Sequence, residues 1–251
     1  MTNMGRSLLG DGYQALIDSL ARLDAELADH IDGFGFGQLL TRPGLSSRDR
    51  TLGLASALAG DGRAPHLLES QLRGAMEAGC TPDQVREIVW PLYLYGGLAA
   101  VERCQETFLS VLGPHPDPPR AAAPDDEAVL EERGLARGRQ LHGELYDQRR
   151  ARMRAIDPQL SDFEVRHGYG RAYLRPQLSL RDRALVTVSV QLGLRLTDQL
   201  HRHLAAARRA GLSRIEIREL CAQTILYLGW PVGNGGVLLL EQALADAGIS
   251  D

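Results

Sequence analysis

The chain writes one phrase twice. Residues 34–50 read FGFGQLLTRPGLSSRDR and residues 167–183 read HGYGRAYLRPQLSLRDR, with nine of seventeen positions identical in register. Gly10 and Tyr13 stand before the first copy as Gly143 and Tyr146 stand before the second. Further on, with the spacing shortened by one residue, Gly79, Glu87, Tyr95 and Gly97 answer Gly211, Glu219, Tyr227 and Gly229. A repeated unit of about 105–110 residues means a fold assembled from two copies of one design. Between them lies GPHPDPPRAAAPDDE, Gly113 to Glu127, whose prolines and acids mark an exposed linker. The expected division is a first unit over 1–113, a linker over 114–130 and a second unit over 131–251.

Each unit reads as helical, so the expected fold class is all-α. Ser46 with Asp49, and Ser179 with Asp182, have the spacing of N-caps, in which a side-chain oxygen satisfies an orphan backbone N–H. Thr81 with Gln84 and Ser213 with Glu216 read as capping boxes, the first with Pro82 at the opening helical position. Behind the second box Leu212, Ile215, Leu220, Ile225 and Leu226 give a broad apolar face, which Gly229 and Pro231 are expected to end. ALVTVSVQLGL, Ala184 to Leu194, carries strand-like β-branched residues. Its length, its N-cap and its match to TLGLASALAG (Thr51 to Gly60) favour a buried helix.

Composition excludes several functions. A net charge of −4 and a pI near 6.0, with arginines scattered among acids, leave no basic footprint for nucleic acid or an anionic membrane. No apolar run approaches the roughly 18–20 residues of a membrane span, and the N-terminus shows no secretory pattern. Cys80, Cys104 and Cys221 are widely spaced, with no CxxC pair. They fit a reducing cytoplasm, the expected location. The basic residues are all arginine; there is no lysine. A lysine Schiff base and a P-loop lysine are therefore excluded. GxGxxG, HExxH and GxSxG are also missing, so neither a cofactor nor a metal site is expected.

At RPGLSSRDR, RPQLSLRDR, HLAAARRAGLSRIEIREL and YLGWP the sequence resembles the carboxymuconolactone decarboxylase family, which shares its helical fold with the alkylhydroperoxidase-D-like proteins. Glu132 to Arg149 also resembles the segment that opens the decarboxylase proper. The resemblance implies a tandem duplication of the alkylhydroperoxidase-D-like unit. The peroxidase branch of that fold uses a CxxC with a His four residues on. Here the matching His is His203, but the expected cysteine positions hold Gln199 and Leu196. In the first unit the matching positions are Gln71, Leu67 and Ala64. A thiol peroxidase is therefore not expected. The decarboxylase branch needs no cofactor: it holds a carboxylated lactone, stabilises the dienolate left by CO2 loss and returns a proton to carbon. Such an enzyme, with a small carboxylate or lactone substrate, is the expected function. A relative recruited in biosynthesis for lactone opening, isomerisation or cyclisation is one alternative. A non-catalytic helical assembly protein is another, and an open pocket at His203 would count against it. Single-unit relatives form hexamers or trimers of dimers, so a homotrimer is the expected assembly.

The resemblance makes His203 the expected proton donor, with an ordinary pKa near 6.5 that suits proton transfer. Arg183 is the second expected catalytic residue and Arg175 an expected substrate ligand, as bidentate carboxylate binders. Their repeats Arg50 and Arg42 favour instead a bracing role, by pairing with Asp49 and Asp182 or by capping carbonyls. Glu87 and Glu219 read as structural for the same reason. Tyr169 and Tyr173, where the decarboxylase usually has Trp, are expected to wall the pocket together with Tyr227 and Trp230. His201 is assigned to the substrate's surroundings or to an interface. Differences between the two copies, at His167, Tyr169, Arg171 and Tyr173, are the places to look for substrate contacts. The first unit has Gln71 for His203, Leu98 for Trp230 and Ala99 for Pro231. It is therefore expected to be a degenerate scaffold beside a catalytic second unit.

Overall fold

A computed structural model describes residues 4–10, 12–115 and 126–250; most of the linker, 116–125, lies outside the described residues. Among the described residues there is no strand, as an all-α reading requires. The first unit comprises α1 (Met4–Leu9), α2 (Gly12–Leu23), α3 (Ala25–His30), a π-helical segment (Ile31–Leu39), α4 (Ser47–Asp61), α5 (Pro65–Glu77), α6 (Pro82–Arg86) and α7 (Val89–Leu112). The second repeats it as α8 (Glu127–His142), α9 (Glu144–Ile156), α10 (Pro158–Phe163), a π-helical segment (Glu164–Tyr169), a 3-10 turn (Ala172–Leu174), α11 (Leu180–Leu194), α12 (Thr197–Arg209), α13 (Arg214–Gln223), α14 (Ile225–Leu228) and α15 (Trp230–Asp246). Helix α8 opens at Glu127, with Asp126 accepting from the Ala128 N–H. No helix among the described residues is long and apolar enough to cross a membrane.

The core is the pairing of α4 with α11. Each starts at its serine cap, Ser46 accepting from Asp49 N–H and Ser179 from Asp182 N–H. From Asp49 to Gly60 and from Asp182 to Gly193 every residue is buried, and small or apolar side chains fill most positions on all sides of each helix, with Arg50, Arg183 and Gln191 as large polar exceptions. The β-branched run in α11 is therefore a buried helix. The two helices approach closely at glycines: a Cβ on Gly60 would overlap the Val190 carbonyl oxygen, and one on Gly193 would overlap that of Ala57.

Charged ties cross from unit to unit in reciprocal pairs. Arg48 meets Asp182 at 2.9 Å and Arg181 meets Asp49 at 2.8 Å. Arg42 meets Glu219 at 2.8 Å and Arg175 meets Glu87 at 2.8 Å. Asp49 and Asp182 are thus engaged by Arg48 and Arg181, not by the four arginines expected from sequence. Of those four, Arg50 and Arg183 cap carbonyls, donating to Arg42 O at 2.9 Å and Arg175 O at 2.8 Å. In these pairs the carboxylates are largely buried, so desolvation offsets much of the attraction.

Both capping boxes form, at Thr81–Gln84 and Ser213–Glu216. The glycine that follows each repeated tyrosine breaks the helix without ending it. Gly97 interrupts α7 at φ 71°, and Gly229 separates α14 from α15 at φ 89°, conformations that a Cβ would strain. Beyond Gly229 the chain resumes as helix at Trp230. Pro231 lies in the first turn, where its missing N–H costs nothing.

Candidate active site

Helix α12 is amphipathic, and its inner face carries His203 into the interior, 5% exposed. The π-helical segment after α10 brings in Tyr169, and the 3-10 turn brings in Tyr173. The wide π turn re-aims its side chains, a device that recurs at functional sites. Helix α7, from the other unit, contributes Tyr95 just before its break at Gly97. The C-terminal turn of α8 contributes buried His142.

These groups form two hydrogen-bonded sets. Tyr173 Oη donates to Thr187 Oγ1 at 3.3 Å and lies 3.2 Å from Tyr95 Oη. Tyr95 Oη in turn lies 3.0 Å from His203 Nε2. Beside this relay, His142 Nε2 lies 3.0 Å from Tyr169 Oη. The His142 and His203 rings meet edge to face at 5.1 Å, and the Tyr169 and Tyr173 rings stack at 5.5 Å. A cavity of about 350 Å³ opens against Tyr95, Tyr169, Tyr173 and His203. Through shared walls at Leu94, Arg149, Glu164, Gly168 and Gln199 it adjoins an outer chamber of about 810 Å³.

Burial sets the protonation states. It holds His203 well below its ordinary pKa, helped by repulsion from His142, Arg149 and Arg202. Burial and nearby arginines take His142 down to about 3. Both imidazoles are neutral near pH 7, so the ordinary pKa assumed for His203 does not survive its desolvation. Burial raises the Tyr95 and Tyr169 phenols well above their usual range, leaving them protonated.

The corresponding place in the first unit is plugged. Gln71 stands for His203 and donates to Tyr227 Oη at 3.2 Å. Leu9, Phe36, Leu40 and Leu54 stand for His142, Tyr169, Tyr173 and Thr187, and form one apolar cluster with Leu226 packed against it. Leu226 fills the space that a Cβ on Gly35 would need. Around its repeat, Gly168, nothing lies within 4 Å of a Cβ.

Of the residues singled out from sequence, His203, Tyr169 and Tyr173 converge on the cavity, and His167 lines the outer chamber. The others lie elsewhere. Arg183 is 2% exposed and pairs with Glu87 at 3.0 Å, and Arg175 pairs with the same carboxylate. Both guanidinium groups are already committed to an internal carboxylate. Tyr227 belongs to the plugged site. Trp230 is 54% exposed and stacks on Phe34 at 5.6 Å. His201 meets Asp246 at 3.0 Å. The reason is a crossover: the turn at Gly229 serves the first unit's site, and the turn at Gly97 serves the second's. Sequence reading within one unit therefore misses Tyr95. It also misses His142, Thr187, Arg149 and Arg202. The signal for His142, Thr187 and Arg149 was present in the alignment of the halves, where they replace Leu9, Leu54 and Leu16.

Cys80, Cys104 and Cys221 are free and buried; none lines the cavity, and burial pushes the Cys221 thiol up to about 12. Among the described residues no three His, Cys, Asp or Glu side chains are grouped to hold a metal ion.

A duplicated all-α unit with an open cavity at His203, beside the seam between the halves, sets the frame for comparison with known proteins. The sequence pattern of the carboxymuconolactone decarboxylase family matches residues 25–104 and again 158–242, and the chain belongs to that family. It is 35% identical over 89 residues to the 4-carboxymuconolactone decarboxylase of Acinetobacter baylyi, a match covering 36% of this chain and 66% of that protein, just under two thirds of its length.

Proposed function

We propose that the chain is a decarboxylase of a carboxylated lactone or related acid, working at the cavity around His203. The asymmetry of the two sites carries this reading: polar, hydrogen-bonded groups line one, and leucines and phenylalanine plug its twin. Burying imidazoles and phenols costs desolvation that the leucines and phenylalanine of the twin avoid, a cost that chemistry at the cavity would explain. An open cavity at that place also weighs against a purely structural assembly role.

In the reaction, the C–C bond to the carboxylate breaks and CO2 leaves. The bonding electron pair passes through the adjoining double bond to the lactone carbonyl oxygen, giving a dienolate. A proton then returns to carbon. Arg149 and Arg202 supply the field that draws the anionic substrate in, and His203 delivers the proton. In the empty cavity His203 is neutral. A bound carboxylate offsets the positive field of those arginines, which raises the imidazole's proton affinity when a donor is needed. The phenols of Tyr95 and Tyr173 remain protonated, and one that turns its single O–H from its present partner to the developing oxyanion acts as a donor there. The test is incubation with 4-carboxymuconolactone while following CO2 release. Release that disappears in His203→Ala supports the reading.

The neutral state of His203 also favours a second reading, in which it first removes a proton from carbon. That would serve isomerisation, lactone opening or cyclisation of a related ring. Product formation without CO2 from the same class of substrate would select it.

A further inference from the structure

The outer chamber is far larger than a carboxylated lactone needs and is built from two unlike walls. One bears the guanidinium groups of Arg149 and Arg202, next to the His203 cavity. Arg149 makes no ion pair or hydrogen bond among the described residues, and Arg202 donates only through Nε, to Asp198 O at 3.1 Å. The other wall is apolar. Where α9 turns into α10 it presents Met153, Ile156, Leu160 and Phe163, all exposed, with Ile156 at 82%. The first unit carries Leu16 at the position of Arg149 and packs it into its apolar plug, so this arginine is not a requirement of the repeated fold.

We infer that the substrate is an amphipathic acid: its carboxylate lies between Arg149 and Arg202 at the mouth of the His203 cavity, and an apolar chain or ring system extends along Met153, Ile156, Leu160 and Phe163. This rests on the proposed use of the His203 cavity, and it adds a requirement that a bare carboxylated lactone does not meet. The outer chamber alone falls within the ~300–1,000 Å³ typical of sites for drug-sized ligands. Four exposed apolar side chains bordering unpaired cations match an anion with a hydrophobic tail.

The test is equilibrium binding, which needs no turnover. Straight-chain carboxylates from six to twelve carbons, each below its micelle concentration, are titrated by calorimetry into the full chain, alongside alcohols of equal length. Affinity for the acids is expected to rise about 2- to 4-fold per methylene, with alcohols at least tenfold weaker. Arg149→Gln and Arg202→Gln each lower acid affinity about tenfold or more, and the exposed-site double variant Ile156→Ser/Phe163→Ser flattens the dependence on length. Affinity independent of chain length, or alcohols binding as well as acids, overturns the inference. So does a double variant that lowers the assembly's mass, because the apolar wall is then covered by a second copy. Length-dependent acid binding without CO2 release from any carboxylated lactone would keep this site and remove the decarboxylase reading. CO2 release from 4-carboxymuconolactone with no chain-length effect would do the reverse.

Discussion

Tyr95 of the first unit reaches across to Nε2 of His203 in the second at 3.0 Å, and its repeat Tyr227 reaches back to Gln71 at 3.2 Å. The contact is the same on both sides of the seam, but only one side ends on a group that can carry a proton. Tyr95→Phe keeps the packing and removes the hydroxyl, so turnover is expected to fall about tenfold, one hydrogen bond's worth. Recording kcat against pH separates positioning from mere destabilisation. A Phe variant with an altered profile and an unchanged thermal midpoint marks a positioning role, whereas an unchanged profile argues for packing alone.

His203→Ala is expected to lower turnover by at least 10²-fold, the lower end for a placed proton-transfer group. Gln71→Ala is expected to leave it within a factor of two or three. Steady-state kinetics on both variants checks this, and equal losses would contradict the assignment of chemistry to one side.

Stability should fall with acid before most carboxylates titrate. His203 and His142 are buried with depressed pKa values, so below pH about 6.5 the unfolded chain takes up protons that the folded chain refuses. Their contribution is fully present above that pH and is lost as pH falls toward about 3, the value for His142. Each contributes a slope of up to about 1.4 kcal/mol per pH unit. His142→Leu, which copies Leu9 of the first unit, should make urea midpoints less sensitive to pH between 6 and 4.

Glu87 holds both Arg175 and Arg183, one of them almost wholly buried. Glu87→Ala leaves those cations unpaired and is expected to cost about 3–5 kcal/mol, read from chemical denaturation. Arg175→Leu is expected to leave KM for a carboxylate substrate unchanged, since that guanidinium is already engaged.

Glycine spacing offers a fold test. Gly193→Ala drives a Cβ into the Ala57 carbonyl of the facing helix and should destabilise by about 1–3 kcal/mol. Gly168→Ala meets open space and should stay within about 0.5 kcal/mol in thermal unfolding.

Much of the architecture was legible in the sequence because it is written in local chemistry. Ser46, Ser179, Thr81 and Ser213 announce their helix starts through side chains that reach only three residues ahead. The buried character of α11 followed from its match to α4. The site was only half legible. His203, Tyr169 and Tyr173 stand out as differences between the copies, but Tyr95 is identical in both and looks like scaffold until the crossover is known. Arg175 and Arg183 have the right chemistry for gripping a substrate. Only three-dimensional placement shows that Glu87, from the other unit, already occupies them.

The leucine-and-phenylalanine plug opposite the open cavity has a consequence for how such a chain can change. In a symmetric pair of identical subunits every substitution is made twice, so each polar group introduced for chemistry is buried twice. Joining the copies in one polypeptide lifts that constraint. One half is free to become oilier and firmer while the other accumulates histidine, tyrosine and arginine. New reactivity then arises on one side of the axis while the other retains the cohesion of the whole.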